Sequence, residues 1–190
     1  MISNLAATGG FTSNVFLVEG ERVVLIDPGN GFDVVSEIES RVETIDAVIL
    51  THTHPDHIGN LDAIIEAFDV EVWGFDPEYP GVDHAIDDGQ EIRIGDYEYV
   101  SLHTPGHKDD HLCFYAREPG VLFAGDLVFE NGGFGRTDLE EGNRERLVAS
   151  IEYLVETVDG LDVFYAGHGA LVTDDPIGTI EAAGRMARTV

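Results

Sequence analysis

Hydrophobic and polar residues along this 190-residue chain follow two periods, a period of two in short runs and a helical period in longer ones. Two β-rich runs, Asn14–Val18 and Arg22–Ile26, lie on either side of Glu19-Gly20-Glu21, which predicts a hairpin. Strands and helices then alternate. The segments that predict this alternation are a helix with Val34, Val35, Ile38 and Val42 on one face, a buried strand at Ile45–Leu50, a helix with Leu61, Ile64, Ile65 and Phe68 on one face, and a strand at Val70–Phe75.

The second half repeats the two kinds of pattern after an irregular connection at Asp76–Asp88. Its final helix is predicted to begin at Pro176, with Asp175 placed to cap it. No internal repeat or low-complexity linker interrupts the chain, so the sequence predicts a single domain over residues 1–190. The other predicted elements are strands at Gly89–Ile94, Tyr97–Leu102, His111–Tyr115, Val121–Ala124 and Asp162–Tyr165, and a helix with Leu147, Ile151, Leu154, Val155 and Val158 on one face.

Charge is the unusual feature of the composition. The chain has 37 Asp and Glu against 10 Lys and Arg, a net charge of -27, and Lys108 is its sole lysine. A hydrophobic content of 43% indicates a folded chain, and molar salt would screen the repulsion among so many carboxylates. The composition therefore resembles that of proteins from halophilic microorganisms. It argues against a nucleic-acid partner, because no basic stripe is present to neutralise phosphates.

The sequence also predicts where the protein resides. Met1-Ile2-Ser3-Asn4 lacks a basic region, and Ala6–Phe11 is too short and rich in glycine for the apolar core of a signal peptide. No apolar run approaches the length that spans a membrane. We therefore expect a cytoplasmic protein with no membrane partner. The lone cysteine, Cys113, excludes an intrachain disulfide and is expected to be a small buried residue.

The first candidate metal ligands lie in Thr51-His52-Thr53-His54-Pro55-Asp56-His57, between the predicted strand Ile45–Leu50 and a helix. Imidazole and carboxylate are the usual nitrogen and oxygen ligands of catalytic zinc, so the turn predicts a metal site. Three further residues, His107, Asp126 and His168, also follow apolar strands. Strand ends at one edge of a sheet converge, so these side chains are expected to share that site.

Taken together and in this order, the motifs resemble the metallo-β-lactamase superfamily. The motifs are His52-Thr53-His54-Pro55-Asp56-His57, Thr104-Pro105-Gly106-His107, Gly125-Asp126 and Gly167-His168, preceded by Asp27-Pro28-Gly29. The resemblance covers nearly the whole chain. It implies an α/β fold, a four-layer αββα sandwich of two mixed sheets flanked by helices, and the order of predicted strands and helices agrees with it.

The same resemblance implies a division of labour among the ligands. His52, His54 and His107 would bind one divalent metal, Asp56, His57 and His168 a second, and Asp126 would bridge them. Zinc is the expected metal, with iron as the other possibility. Water held between the metals would attack an acyl carbon as hydroxide, with Asp56 and Asp126 as catalytic residues. Asp27 and His111 are expected to support the ligands from behind, although Asp27 could equally serve only to close a turn and His111 could equally belong to a surface adapted to salt.

Within the superfamily, the segments Gly125–Phe129 and Phe134–Asp138 resemble glyoxalase II, a hydroxyacylglutathione hydrolase, and its persulfide dioxygenase relatives. The resemblance implies a small-molecule thioester substrate and places Arg136 as the group that binds a carboxylate of the thiol carrier. The alternative for Arg136 is a structural pair with Asp138. This chain ends soon after one further helix and has Gly169-Ala170-Leu171 after His168, so it departs from glyoxalase II where glutathione binds.

Two other activities stay open at this point. A persulfide dioxygenase would hold a single iron with His52, His107 and Asp126, and the ligand spacing does not separate it from a hydrolase. A hydrolase of lactones or β-lactams would use the same attacking water. His84 and His103 receive no role from the sequence, and neither the acyl group, the thiol carrier nor the oligomeric state is predicted.

Overall fold

A computed structural model describes residues 1–6 and 11–189 of the chain. The prediction that Ala6–Phe11 is not the apolar core of a signal peptide concerns residues 7–10 in part, and these lie outside the described residues. The chain folds into two compact units, one of Met1–Ile86 with Arg93–Glu98 and the other of Asp87–Ile92 with Tyr99–Val190. We call them unit 1 and unit 2. The single-domain assignment stays a prediction.

Unit 1 contains a mixed six-stranded sheet with its strands in chain order. The first three strands pair antiparallel and the later ones pair parallel. The Glu19-Gly20-Glu21 hairpin is therefore confirmed between β2 and β3. The strands are β1 Ile2–Asn4, β2 Phe16–Val18, β3 Val24–Ile26, β4 Ala47–Ile49, β5 Val72–Gly74 and β6 His84–Ala85.

Three helices accompany this sheet, α1 Val34–Glu39, α2 Pro55–Ile58 and α3 Leu61–Phe68. Asp33 caps α1 through its side chain, which accepts a hydrogen bond from the N–H of Ser36. The apolar faces of α1 and α3 pack with the central strands in one core. Its fully buried members include Val34, Ile38, Val48, Ile64 and Val72.

A second mixed sheet has the order β11-β10-β9-β8-β7 and belongs to unit 2, except for the end of β7 and the start of β8, which fall within the Arg93–Glu98 segment of unit 1. Strands β8, β9 and β10 pair antiparallel, and β10 pairs parallel with β11. The register of β10 against β11 shifts before Gly125, so the chain leaves the sheet at the predicted Gly125-Asp126. The strands are β7 Glu91–Ile94, β8 Tyr97–His103, β9 Leu112–Ala116, β10 Val121–Gly125 and β11 Val163–Ala166.

Two long helices, α4 Arg144–Thr157 and α5 Pro176–Ala187, complete unit 2. Asn143 and Asp175 cap them with side-chain oxygens, and Pro176 occupies the first turn of α5 as predicted. A short 3₁₀ turn lies at Glu130–Gly132. Leu147, Ile151 and Leu154 of α4 join β9, β10 and α5 in one buried core.

The sequence pattern missed the two edge strands of the unit 1 sheet, β1 and β6. Neither is a buried apolar run, unlike the equally short strands β2, β3 and β4, and β6 interrupts the connection predicted to be irregular. Val42 lies beyond the end of α1, although it packs against the same core. Within residues 1–6 and 11–189, none of the helices has the length and hydropathy that crossing a membrane requires.

Candidate metal-binding residues

The histidine turn of unit 1 brings its potential ligands close together. His52 and His54 lie in the connection from β4 to α2, and Asp56 and His57 lie in α2. The ring centroids of His52 and His57 are 4.0 Å apart, and those of His52 and His54 are 4.8 Å apart. Potential ligand atoms of each of these pairs, and of Asp56 with His57, lie within 4.8 Å of one another. The turn therefore forms a compact cluster of imidazole and carboxylate donors.

Asp27 holds this cluster from behind. Its carboxylate is buried and accepts the N–H of Thr51 at 2.8 Å and the hydroxyl of Thr51 at 2.6 Å, while Oδ2 lies 2.8 Å from Nδ1 of His57. The supporting role predicted for Asp27 thus has a geometric basis: a carboxylate at Nδ1 orients Nε2 of the same ring toward a metal. Asp27 also has a φ of 53°, a backbone conformation that Asp tolerates better than most residues.

Thr51 completes this arrangement, in a role that the sequence does not indicate. Its hydroxyl proton goes to Asp27, so its oxygen accepts from Nδ1 of His52, which lies 3.1 Å away. Nε2 is then the ring atom of His52 that can bind a metal. The recognisable signal was a hydroxyl residue directly before the first histidine of the motif.

Unit 2 carries the remaining predicted ligands, His107, Asp126 and His168. Oδ2 of Asp126 lies 3.4 Å from Nε2 of His107 and 3.5 Å from Nε2 of His168. His107 and Asp126 are buried, whereas His168 is 38% exposed. One carboxylate oxygen thus faces two imidazole nitrogens.

The segment after β10 fixes His107. Nδ1 of His107 donates to the backbone carbonyl of Arg136 at 2.8 Å, which directs its Nε2 toward Asp126. Gly135 makes this approach possible, because a Cβ at that position would lie 2.1 Å from the carbonyl oxygen of Asp126 and 3.0 Å from Cβ of His107. The sequence indicates a role for the guanidinium of Arg136. In the structure it is the main chain, at Gly135 and at the carbonyl of Arg136, that lies against Asp126 and His107.

His111 supports Asp126 through both ring nitrogens. The backbone N–H of Asp126 donates to Nε2 of His111 at 2.9 Å, so Nδ1 carries the proton and donates to the hydroxyl of Thr104 at 2.8 Å. That hydroxyl lies 3.3 Å from Sγ of Cys113, whose thiol in turn donates to the carbonyl of Ala124. His111 therefore contacts the segment bearing Asp126 through a neutral imidazole, and its role as a support of the ligands stays a prediction.

Among the described residues, the two other histidines belong to none of the groups that could hold a metal. His84, which the sequence left in an irregular connection without a partner, lies in β6, has Nε2 3.2 Å from a carboxylate oxygen of Glu71 and packs against the ring of Trp73. His103 ends β8, where Nε2 lies 2.8 Å from the carbonyl of Asp109. Cys113 is buried as predicted, and burial raises the pKa of its thiol to about 12.

The basic side chains nearest the unit 2 ligands are paired with carboxylates. Arg136 donates from Nε and Nη2 to the two oxygens of Asp138, each at 2.8 Å. Lys108, next to His107, lies 3.0 Å from both carboxylate oxygens of Glu141 and 3.6 Å from Asp110. The pair with Asp138 is the alternative that the sequence raised for Arg136, and substrate binding by Arg136 stays a prediction.

Residues 8–177 match the family model for the metallo-β-lactamase superfamily. The chain belongs to this superfamily. Among its relatives it is similar to a probable metallo-hydrolase, YqgX, of Bacillus subtilis, with 32% identity over 81% of this chain and 83% of the relative. It is 30% identical to the hydroxyacylglutathione hydrolase GloC of Haemophilus influenzae, over 86% of this chain and 88% of GloC.

A third relative, the hydroxyacylglutathione hydrolase of Chromohalobacter salexigens, is 37% identical over 78% of this chain. The matched region spans only 57% of that enzyme's length, so the superfamily member described here corresponds to little more than half of it. Together these names confirm the predicted branch of the superfamily and support the predicted class, a metal-dependent hydrolase.

Solved structures confirm the predicted metallo-β-lactamase fold. The chain is similar to the B3 metallo-β-lactamase BLEG-1, with a TM-score of 0.78, 28% identity and coverage of 94% of this chain and 95% of that one. It is also similar to TTHA1623 in a di-iron-bound form, with a TM-score of 0.77, 28% identity and coverage of 92% and 94%. The two mixed sheets and their helices are therefore those expected for the metallo-β-lactamase superfamily.

Both clusters fit a divalent metal by their chemistry. Imidazole nitrogens and carboxylate oxygens are the donors that zinc and non-haem iron accept, and these donors are closely spaced and largely buried. The hydrogen bonds at Nδ1 of His52, His57 and His107 are of the kind that metal-binding histidines make. The superfamily binds divalent metals, and the residues present here suit that role.

Proposed function

We propose that this chain is a hydrolase that uses two divalent metals to cleave a thioester. In this proposal His52, His54 and His107 bind one metal, Asp56, His57 and His168 bind the other, and Asp126 bridges them. Zinc is the proposed metal at both positions. The observation that carries the proposal is the set of hydrogen bonds that hold Asp27, Thr51 and His111 behind these ligands.

Such supports matter because a metal site works only when its ligands are already in place. A ligand that must be reoriented on binding loses affinity, and supporting contacts typically account for about 10 to 100-fold in metal affinity or activity. In unit 1 the support comes from a buried carboxylate, and in unit 2 it comes from His111 and the carbonyl of Arg136. A cluster with a merely structural role would need few of these contacts.

When bound, two such metals lower the pKa of water and stabilise negative charge on a carbonyl oxygen. The residues of the chain have complementary tasks. The carboxylate of Asp56 accepts a proton from the attacking water at one of its oxygens. Asp126, held at its backbone N–H by His111, keeps its carboxylate between His107 and His168. No serine or cysteine nucleophile is required.

The thioester is proposed for two reasons. The relatives from Haemophilus influenzae and Chromohalobacter salexigens are named as hydrolases of a glutathione thioester. A thiolate is also a good leaving group at neutral pH, since a free thiol has a pKa of about 8.5, and so it needs little protonation as it departs. This suits a set of residues in which every well-placed imidazole serves as a ligand or a support.

One experiment tests the metal and the reaction together. The protein is purified in high salt, zinc and iron are measured per chain, and thioester cleavage is assayed beside oxygen uptake with a persulfide substrate. We expect two metals per chain and thioester cleavage. One iron per chain with persulfide-dependent oxygen uptake would replace the hydrolase with the dioxygenase, and cleavage of a lactone or β-lactam alone would replace the thioester.

A histidine substitution tests the ligand assignment. We expect His54→Ala to abolish hydrolysis and to lower the bound metal, because His54 belongs to the proposed first metal position. His84→Ala is the matched control in unit 1, since His84 pairs with Glu71 and lies outside the cluster. Undiminished turnover in His54→Ala, or an equal loss of metal in His84→Ala, would contradict the assignment.

A further inference from the structure

The ten basic residues of the chain all lie among the described residues, and the structure engages every one of them. Eight are paired with carboxylates: Arg41, Arg93, Lys108, Arg117, Arg136, Arg146, Arg185 and Arg188. The other two contact carbonyl oxygens and aromatic rings, Arg22 over Trp73 and Arg144 over Phe134. An anionic ligand would therefore have to compete for any cation on this protein.

This competition matters most at Arg136, the basic residue whose own backbone touches a proposed metal ligand. Its carbonyl accepts from His107, and its guanidinium donates two parallel hydrogen bonds to Asp138. The pair is bidentate, the geometry in which an arginine grips a carboxylate best. Consistent with this, the Arg136 hydrogen bond lowers the pKa of Asp138 to about 2, so Asp138 stays ionised at any working pH.

Lys108 offers no substitute. Both carboxylate oxygens of Glu141 lie 3.0 Å from its Nζ, Asp110 lies 3.6 Å away, and its side chain is only 13% exposed. The ammonium next to His107 is thus already paired with two carboxylates of the same unit.

We propose that the thiol part of the substrate carries no carboxylate, and that Asp138 sets this preference by occupying the guanidinium of Arg136. The inference rests on the proposed thioester hydrolysis and assigns its substrate class, thioesters of uncharged or cationic thiols. Asp138 is a specificity residue in this view, because it takes the two hydrogen bonds that a substrate carboxylate would otherwise accept. A thiol such as glutathione, with two carboxylates, is then disfavoured.

A substrate carboxylate could displace Asp138 from Arg136, because the pair is exposed, and the outcome depends on how strongly Asp138 competes. Arg136 and Asp138 are 61% and 71% exposed, and such a pair by itself contributes little to stability. Asp138 nevertheless lies two residues away on the same chain, so it competes at a high effective concentration. A substrate carboxylate at millimolar concentration would have to displace a neighbour that never diffuses away.

The test uses two thioesters that differ only in charge, S-acetyl-3-mercaptopropionate and S-acetyl-3-mercaptopropionamide. Values of kcat/KM are measured with the metal-loaded protein in molar salt, where long-range repulsion is screened. We expect the amide to be preferred by the natural chain. Asp138→Asn should raise kcat/KM for the carboxylate relative to the amide by about tenfold, because it releases a guanidinium for a charge-assisted hydrogen bond.

Asp159→Asn is the matched control. Asp159 forms a pair with Arg117 that is even more exposed, and Arg117 follows β9 at the opposite end of β10 from Asp126, so the substitution removes the same charge away from the ligands. The preference should not move in this control, and the double variant Arg136→Gln with Asp138→Asn should lose the gain.

Two outcomes would overturn the inference and are distinct from each other. If the natural chain prefers the carboxylate, and Arg136→Gln removes that preference, then Arg136 already binds substrate and Asp138 does not occupy it. If neither thioester is cleaved by a protein with its full metal content, the proposed function itself fails, and the substrate class falls with it.

Discussion

The ligand cluster of unit 1 comes from six consecutive residues, His52 to His57, whereas that of unit 2 comes from the ends of three separate strands. The first is held from behind by one buried carboxylate, Asp27. The second depends on contacts made by His111 and by the carbonyl of Arg136. Both arrangements leave imidazole nitrogens close to a carboxylate, but they reach this state by different routes.

This difference shows what each cluster requires from the rest of its unit. The ligands of a single turn are positioned by the backbone of that turn and by one buried residue, Asp27, so a few hydrogen bonds determine where they lie. Three strand ends need the sheet register to be correct as well, and the bulge before Gly125 is part of that register. We therefore expect a substitution of Asp27 in unit 1 to lower stability and metal binding strongly. A substitution of one supporting contact in unit 2 should lower them less, because several contacts share that role.

The largest expected effect is that of salt on the two units. Of the 37 acidic and 10 basic residues, unit 1 has 18 and three, and unit 2 has 19 and seven. On dilution from molar to low salt we expect the protein to lose structure, with unit 1 losing it first because fewer cations offset its carboxylates. Fluorescence of Trp73 reports on unit 1, and the reactivity of the Cys113 thiol reports on unit 2.

These two reporters suit the purpose because the chain has one tryptophan and one cysteine. Trp73 lies in β5 and Cys113 is buried in β9. A melting temperature that is indifferent to salt would refute the prediction of a halophilic protein. Simultaneous changes in both reporters would leave salt dependence intact but refute the order of the two units.

The next largest effect is expected at the anchor of unit 1. Asp27→Ala should lower the free energy of unfolding by about 3 to 5 kcal/mol, because it removes a buried acceptor from Thr51 and His57 at once. Metal content should fall with it. Denaturant unfolding measures the first effect and metal analysis the second.

Asp33→Ala provides the control in the same unit. Asp33 caps α1 from an exposed position, and its loss should lower the free energy of unfolding far less than the loss of Asp27 does and leave bound metal unchanged. If the two substitutions have equal effects on stability, Asp27 only closes a turn. If Asp27→Ala unfolds the chain outright, Asp27→Asn, which keeps one acceptor, allows the metal content to be measured.

The corresponding change in unit 2 should be smaller. His111→Ala leaves the N–H of Asp126 and the hydroxyl of Thr104 without their buried partner, at a cost of about 1 to 3 kcal/mol. Metal affinity should fall by about 10 to 100-fold, as is usual for residues that support ligands. Metal titration of the purified variant measures this fall independently of turnover.

The tautomer of the His111 ring is a second measurable property that tests whether His111 supports Asp126, because a purely structural role would not require one particular tautomer. Nitrogen NMR of the metal-free protein should show a proton on Nδ1 and none on Nε2 of this ring. Thr104→Ser and Thr104→Val should both preserve that tautomer, because the N–H of Asp126 still donates to Nε2, and only Thr104→Val leaves the Nδ1 proton without the hydroxyl that accepts it. Protonation of Nε2 in the natural chain would remove the basis for assigning His111 as the support of Asp126.

The two clusters also differ in how far they could be predicted. The histidine turn was evident from the sequence, because its ligands are contiguous and follow an apolar strand. His107, Asp126 and His168 are ambiguous one by one, and only the resemblance to a family joined them. Thr51 and Gly135 were missed, since a hydroxyl or a glycine acquires its role only when the fold brings another segment against it.

Similar reasoning explains the remaining differences in the fold. The strands with clear alternation or apolar runs were predicted to within a few residues. β1 and β6 were not, because they are partly exposed edge strands that contain polar residues and form no apolar run, and their pairing comes from neighbouring strands. The ion pair of Arg136 with Asp138 was raised only as an alternative, since sequence proximity does not say which of two partners an arginine will choose.

The smallest expected effect concerns the buried thiol of unit 2. Burial raises the pKa of Cys113 from 9.0 to about 12, so the folded chain holds the thiol proton more tightly than the unfolded chain does. This contribution to stability is complete below pH 9 and is lost as the pH rises toward 12. Stability should therefore fall by about 1.4 kcal/mol per pH unit in that range from this group alone.

Cys113→Ala isolates this contribution, because the variant keeps every other group that titrates at high pH. Denaturant unfolding at pH 8, 9 and 10 should show a shallower decline for the variant than for the natural chain, each compared with its own value at pH 8. Equal slopes would mean that Cys113 is accessible to water in the folded state. The hydrogen-bond chain from Asp126 through His111 and Thr104 would then end in solvent, and unit 2 would hold its ligands less rigidly than unit 1 does.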